Sequence, residues 1–89
     1  MKAIVTVLGS DKVGIIAAVT SELARLKVNI EDISQTLMQE HFVMIMMTDV
    51  SKSPLGIKEI GEKLKAVGES IGVDVRVQHE DIFNSMHRI

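Results

Sequence analysis

Lys2-Ala3-Ile4-Val5-Thr6-Val7-Leu8 is a nearly unbroken apolar run that leads directly into Gly9-Ser10-Asp11-Lys12-Val13-Gly14. Beyond the second glycine, Ile15, Ile16, Val19, Leu23 and Leu26 recur at helical spacing. The stretch reads as a strand, Ala3 to Leu8, turning through a glycine-punctuated corner into a helix from about Val13 to Lys27, which Ser10 or Asp11 is suited to cap. Such a corner lets the main chain approach a ligand closely, and the first helical turn leaves backbone N–H groups without intrahelical partners. A small anion, a carboxylate or a phosphate, suits that position.

The remaining chain extends the pattern. Val28 to Gln39 is rich in β-branched residues, but Val28 and Ile30 share one parity while Ile33 begins the other, so a bulge near Glu31-Asp32 is expected. Gln39-Glu40-His41 is a polar turn, and Phe42 to Val50 is a further apolar strand that completes a hairpin. After Ser51-Lys52-Ser53-Pro54, the residues Ile57, Ile60, Leu64, Val67 and Ile71 follow spacings of three and four, which predicts a second helix ended by Gly72. Val73, Val75 and Val77 then alternate with Asp74, Arg76 and Gln78 as a last strand. Asn29, just past the first helix, has a local use as a left-handed terminator and a functional one as an amide facing a ligand.

The resulting order is βαββαβ. Strands one and three are apolar on both faces, as central strands are, whereas strands two and four carry the polar residues of edges. These features predict an α+β, ferredoxin-like sandwich with an antiparallel sheet ordered 4-1-3-2 and two helices on one face. The domain spans 1–79, and the tail 80–89 places Ile82, Phe83, Met86 and Ile89 on one side of a short helix that packs on the domain or on a partner subunit. Burying Phe83 fully is worth roughly 1.5–3 kcal/mol.

Two helices leave one sheet face uncovered, so its apolar residues call for a homodimer or higher homo-oligomer, through sheet faces, edges or both. The alternative is a patch interrupted by Thr6 and Thr48 and shielded by the tail. Four of the six methionines, Met38, Met44, Met46 and Met47, cluster around the hairpin and read as core filling.

Composition narrows the function classes. The chain has 89 residues, a net charge of −2, no cysteine and two aromatic residues, Phe42 and Phe83. Scattered cations and so few stacking rings argue against nucleic acid. No apolar run reaches the roughly 20 residues that span a bilayer, so the expectation is a cytoplasmic protein without membrane association. His41, His79 and His87 fall on a turn, a strand end and the tail, without ligand spacing, and neither a catalytic triad nor a Walker motif is present. The chain is therefore expected to be non-catalytic, needing no cofactor or metal. A zwitterion fits better: backbone N–H groups near Lys12, Val13 and Gly14 hold a carboxylate, while Asp11 or Asp32 faces an ammonium group.

Leu8-Gly9-Ser10-Asp11-Lys12-Val13-Gly14-Ile15, Val28-Asn29-Ile30-Glu31-Asp32 and the hairpin through Phe42-Val43-Met44 together resemble an ACT domain. With its tail, the chain looks like a small group of stand-alone ACT proteins of bacteria and archaea, and it is similar to the amino-terminal ACT unit of the glycine-cleavage transcriptional repressor. The resemblance implies pairing of ACT units and regulatory binding of an amino acid or similar metabolite at the interface. By position it implies contacts from Gly9, Ser10, Asp11, Lys12, Val13 and Gly14, with Asn29 and Ile30. Val13 stands where many ACT sequences have proline, which restores an N–H donor and relaxes the loop. Without the fused enzyme or DNA-binding domain usual for ACT units, regulation would pass through a separate protein partner. A ligand-independent interaction subunit acting on a separate enzyme or regulator is the alternative.

Overall fold

A computed structural model describes residues 2–10 and 14–81. The elements are β1 (Lys2–Ser10), α1 (Ile15–Arg25), β2 (Asn29–Met38), β3 (His41–Asp49), α2 (Ile57–Ile71) and β4 (Asp74–His79). They form one antiparallel sheet in the order β2-β3-β1-β4, which is the predicted 4-1-3-2 order of the ferredoxin-like sandwich.

Strand parity decides what each face carries. Ala3, Val5 and Val7 of β1 lie beside Phe42, Met44 and Met46 of β3 and Val75 of β4, and all are buried under Ile15, Val19, Leu23, Ile60 and Leu64 from the two helices. Of the four hairpin methionines expected to fill the core, Met44 and Met46 do so, whereas Met38 is exposed on the edge strand and Met47 is half-buried opposite Ile4 on the other face, because both point away from the helix side of the sheet. Thr48 lies on this helix-covered side and not on the open face, so it does not interrupt the open patch. Its register partner is Ala3, and its buried hydroxyl donates to the Ala3 carbonyl at 2.9 Å. The hydrogen bond makes a polar side chain acceptable there.

The expected bulge is present: the β2–β3 register shifts between Ile30 and Asp32, leaving Glu31 unmatched. It reconciles the two apolar parities of β2. Ile30 lies opposite Thr48 and Ile33 opposite Met46, both on the helix side, although three residues apart.

Both ends of α1 fall at residues other than those the sequence pattern suggested. The N-cap of α1 is Gly14 at φ 88°, in place of Ser10 or Asp11, so the helix begins later than Val13. At its other end the left-handed residue is Lys27 at φ 61°, not Asn29. The Lys27 N–H bonds the Ala24 carbonyl at 3.0 Å and the Val28 N–H bonds the Leu23 carbonyl at 2.9 Å, a Schellman ending. Asn29 is thereby released to start β2 in extended backbone. Gly72 ends α2 as expected, at φ 77°. The segment from Ile82 to Ile89, where a short helix is expected, lies outside the described residues.

Candidate functional site

β1 delivers Gly9 and Ser10 to one end of the sheet, where Gly9 lies opposite Phe42 and Ser10 opposite His41. The two glycines of the corner have different jobs. A Cβ on Gly9 would stand 2.7 Å from Val73 Cγ1 and 3.0 Å from Val73 Cβ, so this position is reserved for close packing of the segment that enters β4. Gly14, by contrast, has open space around its missing Cβ and a left-handed φ. Its requirement is conformational: it reverses the chain into α1 and leaves room above it. The Gly14 carbonyl accepts the Ala18 N–H at 2.9 Å, the first bond of the helix. Asp11, Lys12 and Val13 lie outside the described residues.

Beside Ser10 an open concavity of about 330 Å³ is lined by Ser10, Leu37, Gln39 and Glu40. A second, of about 280 Å³, is lined by Gln35, Thr36, Leu37 and Phe42. The first volume sits at the small end of the range for small-molecule sites, about 300–1,000 Å³, and the second just below it. Leu37 belongs to both, which makes it the apolar divider of this corner. A hydroxyl, an amide, a carboxylate and a leucine side chain can meet a small molecule that combines charge with an aliphatic part.

Gln39 and Glu40 did not stand out in the sequence as more than turn residues. The signal was available in the hairpin register: once Ser10 pairs with His41, the turn preceding His41 must flank the β1–α1 corner. Gln39, at φ 58°, makes this tight connection in left-handed backbone.

The structure does not bring Asn29 and Ile30 to that corner within one chain. Asn29 pairs with Asp49, which pairs with Lys2, at the opposite end of the sheet. Around that end Lys2 forms an ion pair with Glu31, a hydrogen bond that raises the lysine's pKa above its ordinary value. Asp49 accepts the Ser51 N–H at 2.9 Å, and this bond holds its carboxyl below the usual range. Asp32 is also at that end, opposite Met47, with its Oδ1 accepting the Ile33 N–H at 2.9 Å. Of the acids near Ser10 in the described residues, Glu40 is the one that lines the concavity.

The most exposed element is β2. Every residue after Ile30 is solvent-accessible, including Ile33 at 45 %, Leu37 at 58 % and Met38 at 62 %. Ile33 and Leu37 face the helix side, opposite Met46 and Phe42, so the edge strand lies beyond the cover the helices give. The sequence placed the exposed apolar surface on the open face alone. There Leu8 and Ile45 are indeed exposed, but the edge strand adds a second apolar stripe. Its i, i+4 spacing, Ile33 to Leu37, was a legible signal of one face of an edge strand.

Among the described residues no group of three or more His, Cys, Asp or Glu side chains could hold a metal ion, and no helix is long and apolar enough to cross a membrane.

Comparison with known proteins agrees with this architecture. The ACT domain model matches residues 2–78. A UPF0237 protein of Clostridium acetobutylicum is 55 % identical over 89 residues, covering 100 % of both chains. Among solved structures, an ACT domain protein from Streptococcus pneumoniae superposes with a TM-score of 0.83 at 38 % identity, covering 93 % of each chain. A putative glycine cleavage system transcriptional repressor superposes with a TM-score of 0.75 at 20 % identity, covering 89 % of this chain and 47 % of that one, a likeness of fold. The chain belongs to the ACT domain family, among its UPF0237 proteins.

Proposed function

We propose that the protein is a non-catalytic regulatory module that binds an amino acid, or a closely similar metabolite, at a homodimer interface made by the β2 edges. One observation carries the reading: β2 is a ten-residue edge strand with apolar Ile33, Leu37 and Met38 exposed, and its Leu37 lines the concavity at Ser10. A long, apolar, unpaired edge is a template for another strand, and a second copy of the same edge is self-complementary about a two-fold axis.

Symmetric pairing also resolves the separation of the two halves of the site. Antiparallel β2 strands centred on their midpoint set Asn29 of the partner subunit opposite Met38. Met38 and Ser10 both pair with His41, so that end of the partner's strand lies across from the β1–α1 corner. Gly9, Ser10, Asp11, Lys12, Val13 and Gly14 of one protomer then share a site with Asn29 and Ile30 of the partner subunit. Backbone N–H groups at the start of α1 receive a carboxylate, Glu40 or Asp11 receives an ammonium group, and Leu37 receives the side chain.

The test is calorimetric titration of the folded protein with each of the twenty common amino acids at millimolar concentration. A saturable heat with one or a few supports the reading. No heat with any, in a protein that sediments as a dimer, removes free amino acids as ligands and favours a ligand-independent interaction subunit acting on a separate enzyme or regulator.

A further inference from the structure

The acids carried by the strands are already engaged. Glu31 pairs with Lys2 and Asp74 with Arg76, while Asp32 accepts the Ile33 N–H and Asp49 the Ser51 N–H. Glu40, in the exposed β2–β3 turn, differs: among the described residues its carboxylate has no hydrogen-bond or ion-pair partner. It is also the one ionised side chain among the described residues that line the concavity of about 330 Å³ beside Ser10. No lysine or arginine of the described residues lines it. A carboxylate so placed attracts a cation and repels a second anion.

The concavity stops short of the helix start. Its described lining takes in Ser10, at the end of β1, but neither Gly14 nor Ile15, where the first-turn N–H groups of α1 stand. A free amino acid carries its ammonium and carboxylate groups on one carbon. A carboxylate seated at the helix start therefore keeps the α-ammonium beside it, and a cation that reaches Glu40 is carried further along the ligand. Leu37 lines the same concavity and is 58 % exposed. It offers apolar surface for a methylene stem, as the stems of lysine and arginine lie on apolar surface while their charged heads stay wet.

We infer that Glu40 selects the ligand: the protein prefers an amino acid with a basic side chain, whose stem lies on Leu37 and whose terminal cation pairs with Glu40. The Ser10 hydroxyl and the Gln39 amide oxygen line the same space and accept further N–H groups of that head. A ligand with an acidic side chain would set two carboxylates together there and is disfavoured. The inference rests on the reading above, that the corner binds an amino acid, and adds the class of side chain. Because the pair is open to water, the selection is modest, up to about fivefold.

The test is calorimetric titration of the full-length protein and of Glu40→Gln with lysine, glutamate and norleucine, which keeps an aliphatic stem without the terminal cation. Glu40 stands in an exposed turn, and circular dichroism of the variant checks that the fold is kept. Lysine should bind more tightly than norleucine by up to about fivefold, with glutamate weakest. In Glu40→Gln the lysine advantage should vanish while the norleucine affinity is unchanged, and Glu40→Lys should reverse the order of lysine and glutamate. Norleucine or glutamate binding as tightly as lysine overturns the inference and leaves the amino-acid reading standing, as does a lysine advantage that survives in the variants. An equal loss for lysine and norleucine in Glu40→Gln also overturns it, by assigning Glu40 to the α-ammonium. Heat with other common amino acids but none with lysine overturns the inference alone, whereas no heat with any of the twenty removes both readings.

Discussion

Gly9→Ala separates a packing glycine from a ligand-loop glycine. Gly9 is not in the left-handed region, so alanine meets no backbone strain there and gains up to about 0.5–1 kcal/mol from reduced chain entropy. Against that gain stands the new methyl, 2.7 Å from Val73 Cγ1, 3.0 Å from Val73 Cβ and 3.2 Å from Val73 Cα. Carbon atoms settle at about 3.5–4.0 Å, and overpacking of this kind costs about 1–3 kcal/mol. The steric cost wins, for a net loss of about 1–2 kcal/mol, or about 4–8 °C in Tm for each kcal/mol in a domain of this size.

Val73→Ala alone removes two methyl groups from a largely buried position and costs about 1.6 kcal/mol or more. In the Val73→Ala background, however, the atom nearest the new methyl is gone, so the double variant should be more stable than the sum of the singles by about 1 kcal/mol. Urea unfolding at one fixed protein concentration, so that association does not confound the comparison, reads all three values. A stabilised or unchanged Gly9→Ala, or strictly additive singles, would refute the reasoning that Val73 reserves this position.

Gly14 should respond through its backbone alone. Gly14→Ala places a Cβ in open space but at φ 88°, costing about 1–2 kcal/mol, and Gly14→Asn should cost measurably less because asparagine tolerates left-handed backbone. Thermal unfolding of the two variants checks the ranking, and equal losses would contradict it. Acid should destabilise the protein by a defined route. The hydrogen bond from Arg25 holds the Glu22 carboxyl below its ordinary range, and the Ser51 N–H does the same for Asp49. A carboxyl depressed in the folded state contributes stability above its unfolded pKa, about 4, and that contribution is lost as pH falls through the folded value. Urea midpoints should therefore fall below about pH 4, and less steeply in Glu22→Gln. An unaltered slope in Glu22→Gln would sever the pair from the effect.

The fold was legible because each signal was redundant. The first strand's two apolar faces, the spacings of Ile57 to Ile71 and the parity break across Glu31 all pointed to the same sheet. What the sequence obscured were features decided by a single backbone angle or by the position of an element in the layer. Ser10, Asp11 and Asn29 are good capping residues, yet Gly14 and Lys27 took the left-handed positions, because helix ends are set by where tertiary packing stops the period. Thr48 looked like an interruption of the open patch until pairing with Ala3 assigned it to the core side.

The candidate site was legible only in halves. The β1–α1 corner could be found from its glycines, but the division of labour between Gly9 and Gly14 depends on Val73, a residue remote in sequence. Leu37, Gln39 and Glu40 required the hairpin register, and exposure of the helix side of β2 required knowing where the helices lie.

A shared site requires that the corner of one chain and the start of β2 in the partner lie together. The protein contains no cysteine, so Ser10→Cys/Asn29→Cys can be spin-labelled at those two positions alone. Within one chain they are separated by about 27 Å along the strands and two strand spacings across, about 29 Å in all. In the symmetric β2-paired dimer, Ser10 and Asn29 of the partner subunit are about three strand spacings apart, about 14 Å. Pulsed electron-electron resonance on the labelled protein should show a population below about 20 Å that vanishes on dilution into excess unlabelled chain, leaving the longer distance. The long distance alone, at every dilution, would contradict a site shared between two chains.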